Sequence, residues 1–213
     1  PFFEDAGFKP WWSMSSAELA GFASTQGIQF AHAYTPHAGR KMVCKDDSLL
    51  CHGSCVVHEL PASEQTYLGL LANTSREAGL PALMYLNAFD NSEPNAAAKY
   101  PDSRILDPSG RQVVGNNCSA GQDYPLFYGT DKNTYGDELD AFVDRILAFG
   151  YTGMYHDDFM CAATSYTFSE WDGYSALLDP ESSAVTALIG NVNLLTQSHE
   201  MGMASRIRAA GGQ

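Results

Sequence analysis

Basic residues are scarce in this sequence. Its 213 residues hold 12 Lys and Arg against 25 Asp and Glu, a formal net charge of −13. DNA, RNA and anionic membrane surfaces repel such a chain, which excludes them as nonspecific partners. Long apolar runs are missing as well. No stretch reaches the roughly 18 apolar residues that read as a bilayer span. No G-x-G-x-x-G and no G-x-x-x-x-G-K-[ST] follows an apolar run, so the main signals for nucleotide binding are absent. The long stretch 90–133 offers only Arg104, Arg111 and Lys132 as cations, too few for a phosphate cradle. No cofactor is expected.

What remains is a globular composition, 45% hydrophobic and 12% aromatic, long enough for one sizeable domain spanning 1–213. The chain opens on Pro1. We expect a removed leader or an excerpt from a longer protein.

Five cysteines are present: Cys44, Cys51, Cys55, Cys118 and Cys161. The first three have the spacing C-x6-C-x3-C, near His52 and His58. Zinc sites favour short C-x2-4-C pairs, so a disulfide in this loop is the expectation, and no metal site. Two sequons, at Asn73 and Asn117, join the cysteines in pointing to an extracellular or secretory compartment.

One order of events recurs along the chain. A polar cap opens an amphipathic helix, a glycine closes it, and an apolar run follows that ends in polar residues. The first helix is expected over 15–26, with Ser15 and Glu18 at capping-box spacing and Gly27 as its stop. A strand follows around 28–34. The second helix is expected over 63–78, closed by Gly79, with a strand around 82–88. The third covers 135–149. There Leu139, Phe142, Val143, Ile146 and Leu147 form the stripe, Thr134 and Asp137 the cap, and Gly150 the stop. Its strand is expected at 151–157. A fourth helix is expected within 181–209, on the face traced by Val185, Leu188, Ile189, Val192, Leu195, His199, Met203 and Ile207.

Alternating helices and apolar strands imply a parallel sheet of the α/β class. A (β/α) barrel of TIM type and an open doubly wound sheet both fit. The polar residues gather at the C-terminal ends of strands, where barrels keep their chemistry. About four β/α units can be counted, with a possible strand at Phe2-Phe3, where a barrel needs eight. The expectation is an incomplete barrel, about half of one, with long loops at 38–62, 90–133 and 159–180.

The strongest chemical constellation is Tyr155-His156-Asp157-Asp158. A carboxylate at the end of a buried strand can serve as nucleophile, general base or metal ligand. Adjacent strand residues point to opposite sides, so at most one of Asp157 and Asp158 faces the barrel axis unless the chain turns there, and the other orients its neighbour or accepts backbone donors from the following loop. A second cluster, Asn87, Asp90, Asn91 and Glu93, can hydrogen-bond sugar hydroxyls or form plain turns. A third is His32 and Tyr34, on one strand face, with His37 near. Aromatic residues crowd the loop SYTFSEWDGYSALLDP, which holds Tyr166, Phe168, Trp171 and Tyr174. Exposed rings beside Asp, Asn and Glu are what carbohydrate binding needs. The bland alternative is a small loop core of their own.

The run FYGTDKNTYGDELDAFVDRILAFGYTGMYHDDF, followed by WDGYSALLDPES, resembles the middle of glycoside-hydrolase-like (β/α)8 barrels. In these a helix ending in Gly leads to a strand of the type G-x-x-G-[IVM]-Y-x-D-[DE], and a Trp-Asp-Gly loop can follow. The matching positions are Gly150, Gly153, Met154, Tyr155, Asp157, Asp158 and Trp171-Asp172-Gly173. DSRILDPSGRQV resembles a loop that such proteins set beside the substrate. The likeness covers roughly 82–210. It implies a barrel, a carbohydrate substrate and hydrolysis of glycosidic bonds, with Asp157 as the first catalytic carboxylate. His156 departs from the aromatic or apolar residue that this position often holds.

The expected site therefore has Asp157 and Asp158 as catalytic residues. Its substrate-binding residues are His32, Tyr34, Asn87, Asp90, Tyr155, His156, Trp171 and Asp172. Two rivals stand beside the glycosidase. One is a metal-dependent hydrolase using His32, His156, Asp157 and Asp158. The other is a catalytically inactive carbohydrate-binding barrel.

Overall fold

Ser15 opens the first helix with a local reciprocal bond. Its hydroxyl accepts from the Glu18 N–H, and the Glu18 carboxylate accepts from the Ser15 N–H at 2.7 Å. This capping box satisfies donors that a helix start otherwise leaves open. Helix α1, Ser16–Gln26, follows, and Gly27 ends it at φ 68°, a left-handed conformation that favours glycine. The computed structural model describes residues 13–33, 62–89, 91, 95–115, 124–157 and 166–212, without the side chains of His32, Ala33, Glu64, Asn87, Tyr124 and Asp157. All five cysteines, the possible strand at Phe2-Phe3, His37 and Glu93 lie outside the described residues.

The elements after α1 run β1 (Ala31–Ala33), α2 (Ala62–Glu77), β2 (Ala82–Asn87), α3 (Ala96–Lys99), β3 (Val114–Gly115) and β4 (Tyr124–Pro125). Then come α4 (Thr134–Ala148), β5 (Gly153–Asp157), β6 (Tyr166–Thr167), β7 (Ala176–Leu178), β8 (Val185–Leu188), β9 (Gly190–Asn191) and α5 (Val192–Ala209). They form two compact units. The first comprises Pro1–Leu86, Phe142–Tyr155 and Arg206–Gln213, and the second Asn87–Ala141 and His156–Ser205.

The first unit is built on a sheet ordered β1-β2-β5. β1 and β2 are parallel, with Ala31 opposite Ala82 and His32 opposite Leu83. β5 runs the same way as β2. The Thr152 N–H donates to the Ala82 carbonyl where both strands begin, and Tyr155 stacks on Tyr85 further along both. Leu19, Leu68, Leu71, Ala72, Met84, Leu86, Phe142, Val143, Ile146 and Ile207 are buried. The Tyr151 hydroxyl, also buried, donates to the Leu68 carbonyl at 3.1 Å. From the stripe read over the third helix, Phe142, Val143 and Ile146 are thus core positions of this unit. Parallel strands joined through helices make this α/β architecture. The expected barrel needs eight such strands, and the described residues supply three.

The second unit holds a core of Phe89, Ile105, Leu126, Tyr128 and Val192, with Val113 and Leu195 against it. Short antiparallel pairs surround it: β3 with β4, β6 with β9, β7 with β8. The start of α4 departs from expectation. Asn133, not Thr134, caps it, its side-chain oxygen accepting from the Gly136 N–H at 2.9 Å. Asp102, from a distant turn, accepts from the Thr134 N–H and hydroxyl.

The fourth helix also differs. Only Val192–Ala209 is helical, while Val185–Leu188 is a strand paired with Ala176–Leu178. Asp179, followed by Pro180, closes that hairpin by accepting from the N–H groups of Glu181 and Ser182. The residues Val185, Leu188, Val192 and Leu195 happen to fit a helical stripe. Gly190 lies in β9 opposite Thr167, where an added Cβ would stand 2.5 Å from the Glu170 carbonyl oxygen.

Candidate functional site

β5 carries the strongest sequence constellation to the end of a strand. Its sequence GMYHD passes from a buried Gly153 to an exposed Tyr155 and ends at Asp157. β2, its neighbour and co-directional, ends at Asn87. Two residues expected in the site therefore lie at the same edge of the sheet, each the last of its strand, and both belong to the second unit. His156 stands beside them in that unit, its ring 6.4 Å from the Phe89 ring and inclined 23° to it. Phe89 is buried, so it gives the imidazole an apolar wall.

Tyr155 belongs to the first unit and is 42% exposed, against 5% for Tyr85 beneath it. His32 is the middle residue of β1. Tyr34, Asp90 and Asp158 lie outside the described residues. Of the ligands expected for a metal-dependent hydrolase, only His156 has a described side chain. Among the described residues no group of three or more His, Cys, Asp or Glu is disposed to hold a metal ion.

Trp171 and Asp172 sit in the loop Glu170–Ser175 of the second unit. One Asp172 oxygen accepts from the Tyr174 and Ser175 N–H groups, both at 2.7 Å. The other accepts from the Ser175 hydroxyl at 2.6 Å and the Asn191 N–H at 2.7 Å. Burial pushes this carboxyl up, but those hydrogen bonds outweigh it and hold it at about 2. Asp172 thus spends its acceptor capacity on the loop itself. Asp107 does the same in the stretch DSRILDPSGRQV, accepting from Ser109 and Arg111. The Ser109 hydroxyl and the Arg111 N–H are the leading causes that hold it at about 2.

Other titratable groups of the second unit were not singled out from the sequence. Burial raises the Tyr128 hydroxyl to about 12, with Glu170 adding to the shift, and that hydroxyl donates to Glu170 at 3.1 Å. Burial raises Glu200 to about 7, and the neighbouring Thr196 side chain opposes the shift. His199 is buried beside Asp131 at 3.5 Å and Asp140 at 3.9 Å. The signal for Glu200 was its place next to the buried stripe of α5, with Thr196 one turn before it.

No protein-family profile matches the chain, and no curated protein matches it. Among solved structures it is similar to an alpha-galactosidase from Thermus thermophilus in complex with p-nitrophenyl alpha-D-galactopyranoside. The identity is 16% and the TM-score 0.46, over 94% of this chain and 34% of that one. The complex of that enzyme with stachyose gives 16% identity and a TM-score of 0.47, over 95% of this chain and 37% of that one. The chain spans about a third of the length of these structures.

Proposed function

We propose that the protein is glycoside-hydrolase-like and cleaves glycosidic bonds of an oligo- or polysaccharide with strand-end carboxylates. One observation carries the reading: β5 ends at Asp157 beside the end of β2 at Asn87, on the edge of a parallel α/β sheet. That edge is where such sheets keep their reacting groups. The resemblance of the run around Gly153-Met154-Tyr155-His156-Asp157-Asp158 to glycosidase barrels supports the same assignment.

In this reading Asp157 is the nucleophile or general base, and the Asn87 amide binds a sugar hydroxyl. The partner acid is Asp158, Asp90 or a carboxylate of another strand. A pair about 5–5.5 Å apart would retain the anomeric configuration, and one about 6.5–9.5 Å apart would invert it. The test is Asp157→Asn against a panel of aryl glycosides. The proposal predicts a loss of at least about a thousandfold in kcat with the fold intact. A wild-type protein that turns over none of the panel, yet binds oligosaccharide, belongs to the inactive-barrel reading.

A further inference from the structure

The loop Glu170–Ser175 presents two aromatic rings on a fixed frame. Trp171 is 50% exposed and Tyr174 86% exposed. Large aromatic side chains normally bury most of their surface, so two such rings held out of the core in one turn need an explanation. The turn is held by its own hydrogen bonds. The four hydrogen bonds to Asp172 tie Tyr174, Ser175 and Asn191 together. Gly173 at φ 90° permits the left-handed bend between the two rings. The Trp171 indole N–H donates to the Ser175 carbonyl at 3.1 Å, which fixes the orientation of the ring while leaving half of it uncovered. The antiparallel pairing of β6 with β9 closes the base of the loop.

The charge around these rings narrows the ligand. Between Tyr166 and Asn191 the chain carries Glu170, Asp172, Asp179 and Glu181 and no Lys or Arg. Phosphates, nucleic acids and anionic headgroups are repelled there. A second copy of this chain, with net charge −13, meets the same repulsion. A neutral pyranose suits it, with an apolar ring face to lie on an indole or phenol and a hydroxyl rim to face carboxylates and water.

The geometry points to the Trp171–Tyr174 turn as a preformed platform that stacks neutral sugar rings, with Asp172 shaping the turn and not itself binding the sugar. Preformed rings lose little freedom on binding, so even a small contact area yields measurable affinity. The platform deepens the proposed function and rests on its carbohydrate substrate, but it does not need Asp157 to be catalytic.

The test follows the Trp171 indole N–H and the 171–175 backbone amides by NMR, in the full chain carrying Asp157→Asn. Hexasaccharides of glucose, mannose and galactose are the probes, up to about 10 mM. The expected result is saturable shifts at these positions with at least one probe. Trp171→Ala and Tyr174→Ala should each weaken binding about tenfold or more. Tyr174 is almost fully exposed, so its variant keeps the fold even if the Trp171 variant does not. The platform is refuted if no probe moves these signals, or if both variants leave the affinity unchanged within about twofold. It is equally refuted if the same signals shift with protein concentration alone, which assigns the rings to self-association. Hydrolysis of a small aryl glycoside by Trp171→Ala that matches wild type, with no sugar seen at the turn, discards the platform and leaves the hydrolase standing. Sugar at the turn of a protein without turnover does the reverse.

Discussion

Tyr155 lies on Tyr85 with ring centroids 6.0 Å apart and planes inclined by 21°. The contact joins β2 to β5 within the first unit. Tyr85 is buried, and Tyr85→Ala should cost about 3 kcal/mol of stability by leaving a cavity. Tyr155→Ala should cost about 1 kcal/mol, the value of an aromatic pair without deep burial. Urea denaturation of both variants checks the order. Equal costs would contradict the difference in burial between the two rings.

Glycines give a sharper structural test because two of them differ only in surroundings. A Cβ at Gly136 would stand 1.9 Å from the Thr130 carbonyl oxygen, a backbone atom that cannot swing away. Gly136→Ala should destabilise by about 2 kcal/mol or more. Gly202, within α5, has open space where its Cβ would go. Gly202→Ala should stabilise by about 0.5–1 kcal/mol, since alanine loses less chain entropy in a helix. Thermal melts that move in the same direction for both would contradict this packing.

Much of the local structure was readable because its causes are local. Ser15, Glu18 and Gly27 lie within one helix length, and their roles follow from spacing alone. The same holds for the stripe from Leu139 to Ile146. The β7–β8 hairpin was not readable. Its exposed Val185 and Leu188 continue the apolar spacing of α5, and what places them in a strand is the pairing with Ala176–Leu178 across the turn at Asp179. Asp172 shows the same limit for the site. It reads as a sugar-binding carboxylate, but its bond to the Asn191 N–H depends on a chain segment 19 residues away. The place of Asp157 at the end of β5 was readable because a strand end is a local and periodic signal.

Glu200 should make stability depend on pH. Its carboxyl is raised by burial from 4.5 to about 7 in the fold. Between those values the unfolded chain releases this proton while the folded chain keeps it. The contribution is therefore complete below pH 4.5 and is lost as pH rises through about 7. Glu200→Gln should remove that decline, which urea titrations at pH 4.5, 6 and 7.5 can read. His199 beside Asp131 and Asp140 is unchanged in the variant, so the difference from wild type isolates Glu200. An unaltered profile would show that Glu200 is solvated.

Asp172 should behave in the opposite sense. Its folded value of about 2 lies below the ordinary 3.8, so its contribution is present above pH 3.8 and is lost as pH falls through about 2. Amide exchange at Tyr174, Ser175 and Asn191 should stay slow at pH 4 and quicken below about pH 3, ahead of global unfolding. In Asp172→Ala these amides should exchange fast at every pH. Slow exchange in that variant would mean that something other than the carboxylate holds the turn.

The most direct measurement is the turnover of Asp157→Asn beside the wild-type protein on a substrate that the wild type hydrolyses. The expected result is a fall in kcat of at least about a thousandfold, with an unchanged urea midpoint and retained oligosaccharide binding. Wild-type turnover in Asp157→Asn would contradict it, because the carboxylate that ends β5 would then have no part in breaking the glycosidic bond.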